Sequence, residues 1–360
     1  MINVKRLKML QEKIGGTANF AFILPGSNFY YLTGYTPSSS LERLFLLVIS
    51  SHSPPYIIAP KMYEEELKEL KIDTFLWDDN EDPYKLFEEK INRKKESVFF
   101  VEESMPSGIL ISLNKVLKEG EVELLGPKIS ELRLFKDDDE LKNLQKAAMI
   151  ADRVFAHILN EKILGLKETE VADLIVTLTK RFGGEAFSFE PIVASGPNGA
   201  NPHHKPGNRK IKKGDFVTLD FGALYNGYCS DMTRTVAIDN VTNTAKKVYE
   251  IVKNANENAF KTVRKGIKIK EVDLAARNHI ENNGYGKYFI HRTGHGIGLE
   301  IHEAPFITPL NEAILQNRMV FTIEPGIYIP NKFGVRVEDD IQVNEKGIRL
   351  TKSSRELMIL

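Results

Sequence analysis

Thr218-Leu219-Asp220-Phe221-Gly222, Tyr225-Asn226-Gly227-Tyr228 and Ser230-Asp231-Met232-Thr233-Arg234-Thr235 follow one another almost without a break. Asn-Gly between two β-rich runs signals a hairpin. A hairpin centred between Tyr225 and Asn226 sets Asp220 opposite Asp231 on one face, with Cβ atoms roughly 4.5–5.5 Å apart. Two like charges at that spacing repel unless something neutralises them. A divalent cation does so, and carboxylates are the hard oxygen ligands it takes. The alternative is a solvated pair on a sheet face.

The pattern recurs downstream. Residues 319–329 and 333–343 flank Pro330-Asn331-Lys332, and pairing about Asn331 sets Glu324 opposite Glu338. Both lie among apolar residues, where an unpaired carboxylate is costly. His295 sits in Thr293-Gly294-His295-Gly296-Ile297-Gly298, flanked by His291 and His302. The glycines permit close backbone approach. No βαβ fingerprint with a downstream ribose acid accompanies them, so a nucleotide loop is not expected. Four carboxylates and one imidazole match the charge of two divalent ions. A carboxylate-rich set leans to manganese or cobalt, with zinc compatible.

Outward from this centre, the 360 residues suggest about two domains. Strand-like runs at 19–24, 44–49, 56–59 and 97–101 alternate with helical stretches at 3–16, 61–70 and 107–117. That alternation predicts an α/β domain over 1–128, followed by a second domain over 129–360. Asp137-Asp138-Asp139-Glu140 reads as the negative first turn of a helix. Leu141, Leu144, Ala148, Ala151, Phe155 and Ile158 then form one apolar face. Gly165-Leu166-Lys167 with Glu170-Val171 recurs, 101 residues later, as Gly266-Ile267-Lys268 with Glu271-Val272. If the repeat is real, two similar α+β halves face each other with a site between them.

Composition narrows the function. Lys plus Arg is 49 and Asp plus Glu is 49, which disfavours phosphate-driven binding of nucleic acid. No apolar run reaches the ~18 residues of a membrane span. The lysine-rich N-terminus lacks a signal-peptide core. A single cysteine, Cys229, excludes an intramolecular disulfide and a cysteine zinc cluster. A cytoplasmic protein without membrane or nucleic-acid partners is expected.

Together, the Asp pair, His-Gly-x-Gly, Glu324-Pro325-Gly326 and Arg336-Val337-Glu338 resemble the pita-bread metallopeptidase family (M24). Tyr30-Tyr31-Leu32-Thr33-Gly34 is similar to the signature of its creatinase-type N-terminal domain. The resemblance implies that fold, with pseudo-two-fold catalytic halves. It implies Asp220, Asp231, His295, Glu324 and Glu338 as ligands of two divalent metals, whose bridging hydroxide attacks the amide carbonyl. It further implies a homodimer.

The resemblance also distributes roles. Glu324 would be the general base. His203 would bind substrate or shuttle protons, although the adjacent His204 leaves that register open. His291 would hold the substrate carbonyl and His302 the tetrahedral intermediate. Arg336 shares the face of Glu338 and would orient Glu338 or Asp231, unless it forms a purely structural ion pair. Cys229 and Trp77 are expected in the core.

The extra N-terminal domain and the Gly334-to-Glu338 stretch favour the aminopeptidase P and prolidase branch, which cleaves before a proline at the second position. Phe306 stands where prolidases usually carry a carboxylate-binding arginine. That favours an aminopeptidase P-like Xaa-Pro aminopeptidase, with Xaa-Pro dipeptidase (prolidase) as the alternative if Lys205, Arg292 or Arg318 supplies the cation. A non-catalytic peptide-binding protein and a creatinase-like hydrolase are disfavoured by the complete ligand set.

Overall fold

The computed structural model describes residues 3–16, 18–37, 42–94, 96–118 and 120–360. The chain divides into two compact units, Met1–Arg133 and Leu134–Leu360. Residue 128 falls inside the helix Gly126–Arg133, which completes the first unit.

The first unit carries a mixed six-stranded sheet. Its strands are β1 (Phe20–Ile23), β2 (Leu46–Ser50), β3 (Tyr56–Pro60), β4 (Asp73–Trp77), β5 (Val98–Val101) and β6 (Glu121–Leu124), in the order β4-β3-β2-β1-β5-β6. The uninterrupted apolar runs of β1 to β3 are buried along their whole length, as central strands covered on both faces must be. Phe20 and Phe22 stack on Phe99 with ring centroids 5.9 and 5.8 Å apart. Trp77 is buried, and its indole N–H donates to the Leu44 carbonyl at 3.0 Å, so it is a core residue. The helix expected over 61–70 is shorter: a 3-10 turn, Lys61–Tyr63, precedes Glu64–Lys68.

The second unit begins with the helix Asp138–Ile158. Asp137 caps it, accepting from the Asp139 and Glu140 amides at 3.0 and 2.9 Å, while Glu140 accepts the Asp137 amide in return. The six apolar positions read from the sequence are all buried. The internal repeat is physical. Helices Glu168–Arg181 and Ile269–Asn282 are both 14 residues long and offset by 101 at each end. Each is preceded and followed by a glycine with positive φ, Gly165 and Gly183 or Gly266 and Gly284. One half adds the antiparallel strands Ile192–Ser195, Phe216–Phe221 and Met232–Ala237. The other adds a five-stranded sheet whose strands include Gly294–Gly296, Val320–Ile323 and Asp339–Val343. This is the pita-bread arrangement of two facing halves. Among the described residues no helix is long and apolar enough to cross a membrane.

Candidate active site

The strand register explains how the acids converge. In the first hairpin Asn226 and Gly227 are the two central turn residues, with φ of 46° and 76°. Such a turn wants both centres at positive φ. Its centre therefore lies one residue beyond the expected one. Asp220 pairs with Thr233, not with Asp231. Asp231 precedes Thr233 by two residues and is thus the diagonal neighbour of Asp220. The second hairpin pairs about Asn331, with Gly326 opposite Arg336 and Ile323 opposite Asp339. Glu324 and Glu338 fall opposite each other, in the short gap between the two paired segments.

These side chains meet in a cleft of about 590 Å³, lined by Asp220, Asp231, His291, His295, Glu324 and Glu338 together with His203, His302, Arg292 and Arg336. Ligand atoms of Asp231, His295 and Glu338 lie within 4.8 Å of one another. His295 Nε2 is 3.4 Å from Glu324 Oε1 and 3.6 Å from Asp231 Oδ2. Asp220 stands beside this group rather than in it, one oxygen taken by Arg336.

The glycines around His295 are needed for this approach. A Cβ at Gly294 would meet the Thr322 carbonyl oxygen at 1.9 Å, and one at Gly296 the Ala304 carbonyl oxygen at 2.0 Å. The His295 Nδ1 faces the Gly296 carbonyl at 3.1 Å. A carbonyl only accepts, so Nδ1 carries the proton and Nε2 presents a lone pair to the carboxylates. Burial, with His302 adding to it, pulls the His295 pKa down to about 3, so the ring is neutral.

The carboxylates are strained in the opposite direction. Burial first, then the Glu338 and Asp220 charges, raises Asp231 well above the ordinary carboxylate range. Burial and the Glu324 and Asp220 charges do the same to Glu338. Glu324 is raised to about 7 by burial, against the opposing pull of Arg336. Asp220 Oδ1, Asp231 Oδ1 and Glu338 Oε1 are buried without a hydrogen-bond partner among the described residues. Buried, unpartnered carboxylate oxygens beside a neutral imidazole are what a divalent cation satisfies. The donor set therefore fits the metals expected from the sequence.

Arg336 differs from the expectation. Its guanidinium ion-pairs with Asp220, not Asp231. Its hydrogen-bonded link to Glu338 runs through Thr233, whose hydroxyl accepts from Arg336 Nε at 2.9 Å and donates to Glu338 Oε2 at 2.6 Å. Its Nη1 also donates to the Tyr328 hydroxyl at 2.8 Å. That hydroxyl lies 3.0 Å from His291 Nε2, while His291 Nδ1 meets the Arg292 carbonyl at 2.7 Å. Nδ1 must donate there, so Tyr328 donates to Nε2. Both ring nitrogens of His291 are thus committed to protein groups, and burial holds its pKa near 4.

His302 packs edge-on against His295 with centroids 4.2 Å apart. His203 lines the cleft, whereas His204 turns away to the Glu168 carboxylate at 2.8 Å. Cys229 is buried and is not one of the three clustered ligands. Of the proposed cations, Arg318 pairs with Asp138 and Lys205 does not line the cleft. Arg292 does, its guanidinium stacked 4.5 Å above the Phe306 ring.

Sequence reasoning missed Tyr328, Thr233 and Asp340, whose Oδ2 accepts the Asp231 amide at 3.0 Å. The signal for Tyr328 was present: it is two residues from Gly326, the partner of Arg336, and so shares that face.

A model of metallopeptidase family M24 matches residues 142–345, and one of the creatinase/prolidase N-terminal domain matches residues 5–135. A prolidase from Thermococcus sibiricus superposes with a TM-score of 0.95 at 48% identity, each chain covered to 100%. A dipeptidase from Pyrococcus horikoshii does so at 0.94 and 45%, over 99% of this chain and 100% of that one. An uncharacterised peptidase of Staphylococcus epidermidis is 38% identical over 358 residues, 97% of this chain and 98% of the relative. The matched segment contains both acid-bearing hairpins and the histidine strand between them, and the chain belongs to metallopeptidase family M24, a hydrolase of peptides.

Proposed function

We propose that the chain is a metal-dependent Xaa-Pro dipeptidase. The observation that carries this is Arg292. It lines the cleft, and its guanidinium has no ion-pair partner among the described residues. The other cleft arginine, Arg336, is held by Asp220. Phe306, which argued for an open aminopeptidase P pocket, instead provides the ring on which Arg292 stacks. A planar guanidinium held flat is suited to bidentate capture of a carboxylate, here the C-terminus of a dipeptide. The prolidase and dipeptidase among the similar structures support the same choice.

Asp220, Asp231, His295, Glu324 and Glu338 would hold two divalent ions, manganese or cobalt by donor chemistry, with zinc compatible. Bound there, they supply Lewis-acid polarisation and acidify water. The chain's residues do the rest. Water adds to the Xaa carbonyl carbon and the bond to the proline nitrogen breaks. Glu324 takes the proton from water and returns it to that nitrogen. His302, packed edge-on against His295 at the cleft, donates to the developing oxyanion. His203 contacts the substrate from the cleft wall. His291 aligns the Tyr328 hydroxyl and, through it, Arg336. A cytoplasmic homodimer completes the proposal.

The test compares Ala-Pro with Ala-Pro-amide on the manganese-loaded enzyme. Loss of the carboxylate lowers kcat/KM by at least ~10-fold if Arg292 captures it. Equal rates on the two substrates contradict the dipeptidase reading.

A further inference from the structure

Glu168 opens the helix Glu168–Arg181, and it is fully buried. Its Oε1 accepts from the Ser195 amide at 2.8 Å, the Ser195 hydroxyl at 2.7 Å and Asn198 Nδ2 at 3.0 Å. Its Oε2 accepts from the Gly207 amide at 3.1 Å and meets His204 Nε2 at 2.8 Å. Burial opposes the charged form, but the hydrogen bonds from Ser195, His204 and Asn198 outweigh it and hold the carboxyl below its ordinary range. Glu168 is not one of the three clustered ligands, and the hydrogen bonds of its carboxylate all go to the 195–207 segment among the described residues.

The donors lie at the two ends of one segment. It leaves the strand Ile192–Ser195, turns through Gly196–Ala200 and returns by Gly207. At its far side Pro202 and His203 line the cleft. The His203 amide is tied only locally, to Asn201 Oδ1 at 3.1 Å. The segment reads Ser-Gly-Pro-Asn-Gly-Ala-Asn-Pro-His-His-Lys-Pro-Gly over 195–207 and contains no large apolar side chain to anchor it in a core. Gly199 packs closely on the Gly334 backbone and Arg336 Nη1 donates to the Pro202 carbonyl at 3.5 Å, while Glu168 supplies the polar ties that join residues 195 and 198 to residues 204 and 207.

We propose that Glu168 is a positioning residue for the peptidase reaction: its carboxylate closes the 195–207 segment and so fixes His203 in the cleft. In this proposal His204 belongs to the closure and His203 to the chemistry. The inference rests on the reading of His203 as a site residue.

The test uses the full-length, manganese-loaded chain with Ala-Pro as substrate. Glu168→Gln places an NH2 group among donors and should lower kcat/KM by ~10–100-fold, with bound manganese unchanged. Combined with His203→Ala, it should cost nothing beyond His203→Ala alone, because both changes remove the same contribution. Additive losses overturn the proposal. Parent-like activity in His203→Ala overturns the site reading and the proposal with it, so the two failures are distinguishable. If Glu168→Gln does not fold, His204 carries the test. His204→Gln keeps a donor and should retain most activity, whereas His204→Leu should fall by ~10-fold or more. Equal losses in the two His204 variants overturn the proposal.

Discussion

Glu324→Gln should make the metal-free protein more stable while destroying its activity. The Glu324 carboxyl titrates near 7 in the folded protein against an ordinary 4.5. A raised carboxyl penalises folding when ionised. The penalty is absent below about pH 4.5, grows between pH 4.5 and 7, and is complete above pH 7. The difference corresponds to about 3 kcal/mol. The true figure also includes relief of Glu338, whose carboxyl Glu324 pushes up. For a unit of this size, about 3 kcal/mol moves Tm by roughly 6–12 °C. The assay is thermal unfolding in EDTA, parent beside variant, at pH 8 and pH 5. The depressed His291 makes stability fall at low pH in both proteins, so its contribution cancels in the comparison. The variant should unfold at higher temperature at pH 8, and the gap should shrink to under ~1 kcal/mol at pH 5. Manganese should then stabilise the parent more than the variant. Activity should fall by at least ~10²-fold. A variant less stable than its parent at pH 8, or a gap that does not depend on pH, would refute the view of these acids as a destabilised, cation-seeking cluster.

Further outcomes follow from the arginines and their relay. Arg292→Ala should lower kcat/KM for Ala-Pro by ~10–100-fold while changing Ala-Pro-amide little, since the partner carboxylate is missing in both remaining cases. Arg336→Lys keeps the charge but loses the fork that joins Asp220, Thr233 and Tyr328; activity should fall ~10–100-fold with weaker metal binding, read by titration with manganese. Tyr328→Phe removes the hydroxyl between Arg336 and His291. A loss of ~10-fold in kcat with metal content unchanged is expected from steady-state kinetics and metal analysis.

Much of the site was legible because β structure has a period of two and a turn fixes its register. Asn331 centred the second hairpin correctly, so Glu324 and Glu338 could be placed opposite each other. The first hairpin was misplaced by one residue because both Asn226 and Gly227 occupy turn centres, and that slip put Asp231 where Thr233 belongs. The acids converge regardless, since a diagonal neighbour on the same face is still within reach. The acidic first turn after Asp137 and the 101-residue repeat are local signals, and both were readable. Tertiary choices were not. Nothing in the spacing says that Arg336 prefers Asp220, that Phe306 would seat Arg292, or that His204 would turn to Glu168. These depend on which elements pack together. In the first unit, the strand Asp73–Trp77 escaped notice because a half-exposed strand paired in parallel alternates weakly.

The most direct test of a metal-dependent dipeptidase is the initial rate of the manganese-loaded protein on Ala-Pro beside Ala-Pro-Ala, with an EDTA-treated sample as control. Faster cleavage of Ala-Pro, abolished by EDTA, is the predicted result. Faster cleavage of Ala-Pro-Ala, or a rate that survives removal of the metal, would contradict it.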